Sequence, residues 1–153
     1  MTTLKKRLQD DLTAAIRARD ELRSATLRLT LSAVTSAEVA GKVKRELTDD
    51  EVLQVLQGEA KKRRDAAEAF AQAGRAQSAE RERAEGALLA EYLPQQLTDE
   101  ELAAIVAAAV AESGASGPQG MGAVMKIVRP QVDGVAEGGR VAAAVKAALT
   151  SGQ

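Results

Sequence analysis

The chain has neither histidine nor cysteine in its 153 residues. Those two absences remove the commonest general base, the usual zinc and haem ligands, thiol nucleophiles and disulfides, so most metal, redox and triad chemistry is excluded. Aromatic residues are almost absent too, being only Phe70 and Tyr92. The core must then come from Leu, Val, Ile and Ala, and small side chains require closely approaching helices with modest burial per residue. Long apolar runs are missing as well, since none approaches the roughly 20 residues of a membrane span, and MTTLKKRLQDDL is charged from Lys5 onward. A soluble, unprocessed protein with no membrane association and a cytoplasmic location is expected. A large charge of either sign is also lacking. The formal net charge is -1, which argues against a bulk polyanion binder and directs attention to local patches. Residues 1–97 carry 17 Lys and Arg against 16 Asp and Glu, whereas Met121 to Gln153 carry four basic residues against two acidic ones. The small excess of positive charge sits in the tail.

What is present is helical periodicity. Leu4, Leu8, Leu12, Ala15 and Ile16 share one stripe, which predicts an opening amphipathic helix. From about Glu21 to Val39 the apolar residues fall on two faces, Leu22, Ala25, Leu29 and Ala33 on one and Leu27, Leu31 and Val34 on the other, as in a central helix buried from two sides. Gly41 and the charged turn KVKRE end it. Thr48-Asp49-Asp50-Glu51 and Thr98-Asp99-Glu100-Glu101 each predict a capped helix start, with the threonine accepting from the third amide and the glutamate reaching back. Between them a long helix from Asp49 to about Ala73 and another from about Ser78 to Leu93 are predicted, separated at Gly74. Pro94 disfavours helical geometry at Leu93 and marks PQQL as a boundary. Beyond it come stripes at Leu102, Ile105, Val106, Ala109 and Val110, at Met121, Val124, Met125 and Val128 up to a break at Pro130, and at Val141, Ala144, Val145, Ala148 and Leu149. The fold class is all-α, with an N-terminal domain of about four helices over residues 1–94 and a three-helix domain over residues 95–153. No strand alternation or internal repeat competes with this reading.

Few residues suggest chemistry. The run Lys61, Lys62, Arg63 and Arg64 fans around most of a helical turn and cannot form one flat patch, so surface ion pairs with Glu59 and Asp65 compete with phosphate or partner contact. Gly114, Gly117, Gly120 and Gly122 fit neither the dinucleotide nor the P-loop spacing, and read as a connector with close helix packing at Gly122. The acids sit mostly at helix starts, where capping explains them, and the isolated Glu38 and Glu59 have no neighbouring acid for acid-base or metal work. The serines form no nucleophile motif. No catalytic residue, metal site or cofactor is expected. In the tail, Lys126 and Arg129 lie at i, i+3 on the face opposite the Met121–Val128 stripe, where two cations can straddle adjacent phosphates, and Arg140 with Lys146 can extend that track.

The Arg-rich second helix, KKRRDAAEAFAQAGR at Lys61 to Arg75, EYLPQQLTDEEL at Glu91 to Leu102 and MGAVMKIVRPQVDGVAEGGRV at Met121 to Val141 together resemble the YqeY family over almost the whole chain. The tail resembles that of the B subunit of the glutamine-dependent tRNA amidotransferase (GatB). The chain departs from the family pattern with Ala123 where a lysine is common, Lys126 where a glycine is common, and AEG where ADG is frequent. The resemblance implies an all-helical, non-catalytic accessory module that binds tRNA through the tail, with Lys126, Arg129, Arg140 and Lys146 as RNA-binding candidates and Lys61, Lys62, Arg63 and Arg64 as a secondary basic patch. It also implies kinship to a carbon-nitrogen ligase with glutamine as nitrogen donor, and an amidotransferase or another translation-related protein as partner. The competing classes are a helical protein-interaction module without RNA contact and an enzyme active only within a complex. The oligomeric state stays open.

Overall fold

The computed structural model describes residues 3–151, which are helical throughout apart from turns and connectors. Two compact units are present, Met1–Leu93 and Pro94–Gln153. The first contains α1 (Leu4–Arg17), α2 (Glu21–Glu38), α3 (Asp49–Gln72) and α4 (Ala76–Ala90); the second contains α5 (Asp99–Ser113), a short 3-10 turn (Pro118–Gly120), α6 (Met121–Val132) and α7 (Gly138–Ser151).

Helix starts follow local chemistry. Thr3 and Asp20 accept from the amides of Lys6 and Arg23, and both expected capping boxes form, Thr48 with Glu51 and Thr98 with Glu101. Each box satisfies two amides that the first turn leaves without a helical partner. At the far end of α5, Gly114 takes φ 66° and its amide returns to the Val110 carbonyl, a left-handed stop that favours glycine. The close approach in the following connector occurs at Gly120, not Gly122: a Cβ on Gly120 would stand 2.6 Å from that of Ala115, whereas nothing lies within 4 Å at Gly122.

In the first unit α2 packs against α1, α3 and α4. Its core contains Leu8, Leu27, Val34, Val52, Leu56 and Leu89, with Tyr92 at its edge. The expected pair of apolar faces on α2 is only half correct. Leu29 is 50% exposed, and the place of a second apolar stripe is taken by buried Thr26 and Thr30. Their hydroxyls donate to the Leu22 and Thr26 carbonyls at 2.8 Å each, so a polar letter is buried without an unmet hydrogen bond.

Charged links supplement this modest core. Arg63 on α3 lies 3.2 Å from Glu85 and 3.4 Å from Glu82 on α4, and 3.8 Å from Glu59 on its own helix. Its side chain is only 20% exposed, and Glu59 and Glu85 are buried. Arg81 extends the network, donating to Glu85 at 3.0 Å and to both Glu21 oxygens on α2 at 2.8 and 3.0 Å. On the other side, buried Glu38 accepts twice from Lys5, at 2.9 and 3.1 Å, and once from the Leu47 amide at 3.3 Å. These partners hold its carboxyl below the ordinary 4.5, the Lys5 hydrogen bond being the largest cause.

The second unit has an apolar core of three regular stripes: Leu102, Val106 and Ala109 on α5, Val124, Val128 and Val132 on α6, and Val141, Val145 and Leu149 on α7. Pro130 does not break α6, which continues to Val132. The proline is exposed and the helix is retained because Val128 and Val132 on either side are core residues, although Pro130 has no N–H to offer the Lys126 carbonyl. The entering segment is tied down as well. The Leu97 amide donates to the Val135 carbonyl at 2.8 Å and the Gln96 side chain to the Gly134 carbonyl at 3.1 Å.

Removing Arg63 leaves three acids gathered without their common cation, so Arg63→Ala is expected to cost roughly 3 kcal/mol, the range for breaking a buried pair. Urea unfolding at neutral pH checks this; an unchanged midpoint would show that the network contributes nothing to stability.

Candidate functional site

The tail cations do not share one environment. Lys126 and Arg129 are exposed on α6, on the side away from Val124, Val128 and Val132, and Lys146 is exposed on α7, which packs against α6. None of the three has an acidic partner within salt-bridge distance among the described residues. Arg140 is different. From the first turn of α7 its guanidinium donates to the Leu97 carbonyl at 2.9 Å and to Asp99 at 2.8 Å, clasping the start of α5. Its side chain is 28% exposed, so it holds the fold of the unit while the other three face solvent.

The second basic run is committed to internal partners. Lys61 pairs with Asp65 at 2.8 Å, Lys62 with Glu59 at 3.1 Å, and Arg63 points into the acid cluster between α3 and α4. The expected ion pairing is present, but that of Arg63 lies largely inside the helix pair and not on the surface. Arg64 is exposed and has an interaction of its own. Side chains that point around a full turn and are paired on three sides make no continuous anion surface.

Sequence reasoning missed a polar groove in the first unit. An open cavity of about 420 Å³ is lined by Arg7, Asp11, Arg23, Glu91 and Tyr92 over a floor of alanines from α1. The Tyr92 hydroxyl donates to Asp11 at 2.5 Å, the Arg7 guanidinium stands 4.6 Å above the ring centre, and Arg23 pairs with Glu91 at 3.0 Å. Burial, first, and the Asp11 hydrogen bond, second, push the phenol up to about 12. The tyrosine is a neutral donor at physiological pH, and the lining also includes Asp20, 3.6 Å from Arg23, so three acids face two arginines. The only hint in the sequence is that its single tyrosine directly precedes Leu93-Pro94. Among the described residues no group of three acids is arranged to hold a metal ion.

Fold and surface thus define a small helical protein of two units, with polar clusters that tie helices together and a set of exposed tail cations. The chain belongs to the YqeY family: the family model for Yqey-like proteins matches residues 5–149, nearly its whole length. No match was found among curated proteins.

With one tyrosine in the chain, the phenol can be titrated directly by its ultraviolet absorbance. The midpoint is expected about 12, above the ordinary 10.0, and Asp11→Asn should lower it without removing the rise, because burial is the largest single cause. Since the folded-state value is the higher one, stability is lost as pH climbs past 10, where the unfolded tyrosine ionises more readily. A native midpoint at 10 would show that the ring is not held as described.

Proposed function

We propose that the protein is a cytoplasmic, tRNA-binding accessory module related to the glutamine-dependent tRNA amidotransferase, and that it catalyses no reaction alone. The observation that carries this reading is the contrast between the two basic sets. Lys126, Arg129 and Lys146 stand exposed without acidic partners among the described residues, while three of the four cations in the 61–64 run are drawn into pairs with Asp65, Glu59, Glu82 and Glu85. Cations that already neutralise a carboxylate gain less from a phosphate than cations whose only competitor is water. YqeY family membership and the likeness of the tail to that of the amidotransferase B subunit support tRNA as the polyanion. The tail's balance is not basic overall, since residues 94–153 hold four Lys and Arg against six Asp and Glu. Three of those acids, Asp99, Glu100 and Glu101, lie in the first turn of α5, while Asp133 and Glu137 lie in the α6–α7 turn, close in sequence to Arg129 and Arg140. Binding would be local, moderate and sensitive to salt.

Arg140 enters the proposal in a secondary role, as the residue that positions α7 against the start of α5. Glutamine hydrolysis and ATP consumption have no residues assigned to them, and the purified protein is expected to show neither.

Binding of deacylated tRNA, followed by fluorescence anisotropy across a salt series, tests the proposal. Lys126→Ala, Arg129→Ala and Lys146→Ala should each weaken binding to all tRNA sequences alike and reduce the salt slope by roughly 0.7 to 0.9 for every phosphate no longer neutralised. Lys61→Ala and Lys62→Ala should have little effect. Unchanged affinity and slope in the triple tail variant, with helix content retained, would overturn the tail assignment.

A further inference from the structure

Among the described residues four large apolar side chains are substantially exposed, and two of them, Val39 at 51% and Val43 at 76%, lie at the α2–α3 connection. Val43 sits between exposed Lys42 and Lys44. The projection is anchored at its base, because the Arg45 amide donates to the Glu38 carbonyl at 3.1 Å and Arg45 grips Glu51 through two hydrogen bonds of 2.8 and 3.0 Å. An aliphatic side chain between two ammonium groups is thus held out to solvent by fixed contacts.

Beside it lies a groove of complementary character. A cavity of about 470 Å³ is lined by Thr3, Leu4, Arg7, Asp10, Asp11 and Asp49, which is three acids to one base with an aliphatic contact at Leu4. Loop and groove are neighbours: Lys5, next to Leu4, pairs with Glu38 at the root of the loop, and Asp49, which follows the loop, accepts from the Leu4 amide at 3.0 Å. No residue of the 39–46 loop lines the groove of its own chain. Asp10 is engaged by Lys6 in an exposed i, i+4 pair, the kind that contributes little and exchanges readily.

We infer that the first unit self-associates through a two-fold contact in which the Lys42-Val43-Lys44 crest of each copy enters the acidic groove of the other. A self-complementary patch needs its two halves side by side on one surface, so that residue i meets j while j meets i, and the loop and groove meet that condition. Nucleic acid is disfavoured as the occupant by the three acids of the groove. A membrane is disfavoured because two valines and two lysines fall short of stable anchoring. The inference is separate from the tail proposal and involves none of its residues. A contact of one loop and one groove from each copy is at the small, transient end of the range.

Sedimentation equilibrium of the full chain tests it. At roughly 20 mM salt the protein should show a monomer–dimer equilibrium that is lost by about 0.5 M salt. Val43→Ser should weaken association roughly a hundredfold, since the side chain is lost from both copies of the contact. Lys42→Glu with Lys44→Glu, which turns the crest negative, and Asp10→Lys with Asp49→Lys, which turns the groove positive, should each abolish it, because both copies of the contact become repulsive. Mixing those two variants should restore a dimer, since every loop then faces a groove of opposite charge. Circular dichroism should show unchanged helix content in both. A native protein that stays monomeric at low salt, a dimer indifferent to the two charge reversals, or a mixture that fails to associate would each overturn the inference.

Discussion

The gathering of Glu59, Glu82 and Glu85 around Arg63 is the interaction on which the first unit depends. A chain with one phenylalanine and one tyrosine cannot fill a four-helix core with large rings, so its helices meet through Leu, Val and Ala. Such contacts stabilise each helix pair modestly and leave their register weakly specified. A guanidinium that reaches two acids of α4 adds what the aliphatic contacts lack, since its hydrogen bond to Glu85 and its charge beside Glu82 favour one alignment of α3 on α4. Arg81 carries the same logic on to Glu21 of α2, and Lys5 with Glu38 repeats it between α1 and α2. The chain's near-neutral charge is the sum of these internal pairings as much as a property of its surface.

The second unit solves the same shortage of large side chains in another way. Three helices each give a stripe of Val, Leu or Ala at three- and four-residue spacing, and one charged clasp, Arg140 with Asp99, fixes the entry to α5. Its other basic residues are left for solvent. Exposure alone does not set the tail apart, since Arg17, Arg28 and Arg83 of the first unit are also exposed and outside the ion pairs; the proposal rests on Lys126, Arg129 and Lys146 lying in the unit whose sequence resembles the amidotransferase tail.

Much of this is legible in the sequence because it depends on short-range pattern. The capping boxes at Thr48 and Thr98, the stop at Gly74 and the three tail stripes are each encoded within a few residues, and all appear where the pattern places them. What stays hidden depends on partners far along the chain. Nothing within Lys61 to Arg64 says that Arg63 is the one turned inward, since its acids arrive with α4 some twenty residues later. Arg140 reads as another tail cation until the start of α5 is folded against it. Thr26 and Thr30 are hidden for a different reason: a hydroxyl that bonds its own helix behaves as a core group, which a polar/apolar alphabet does not record. Tyr92 gives no local sign of its role because its partners, Arg7 and Asp11, come from the opposite end of the first unit's sequence.

The central claim is that the cations of this protein divide into those consumed by the fold and those open to a polyanion, and side-chain NMR of the labelled protein titrated with deacylated tRNA addresses it most directly. The Arg129 guanidinium and the Lys126 and Lys146 ammonium signals should shift and broaden as tRNA is added, while those of Arg63 and Arg81, held in their carboxylate networks, should stay in place. Movement of the Arg63 and Arg81 signals with the tail signals unchanged would contradict the account.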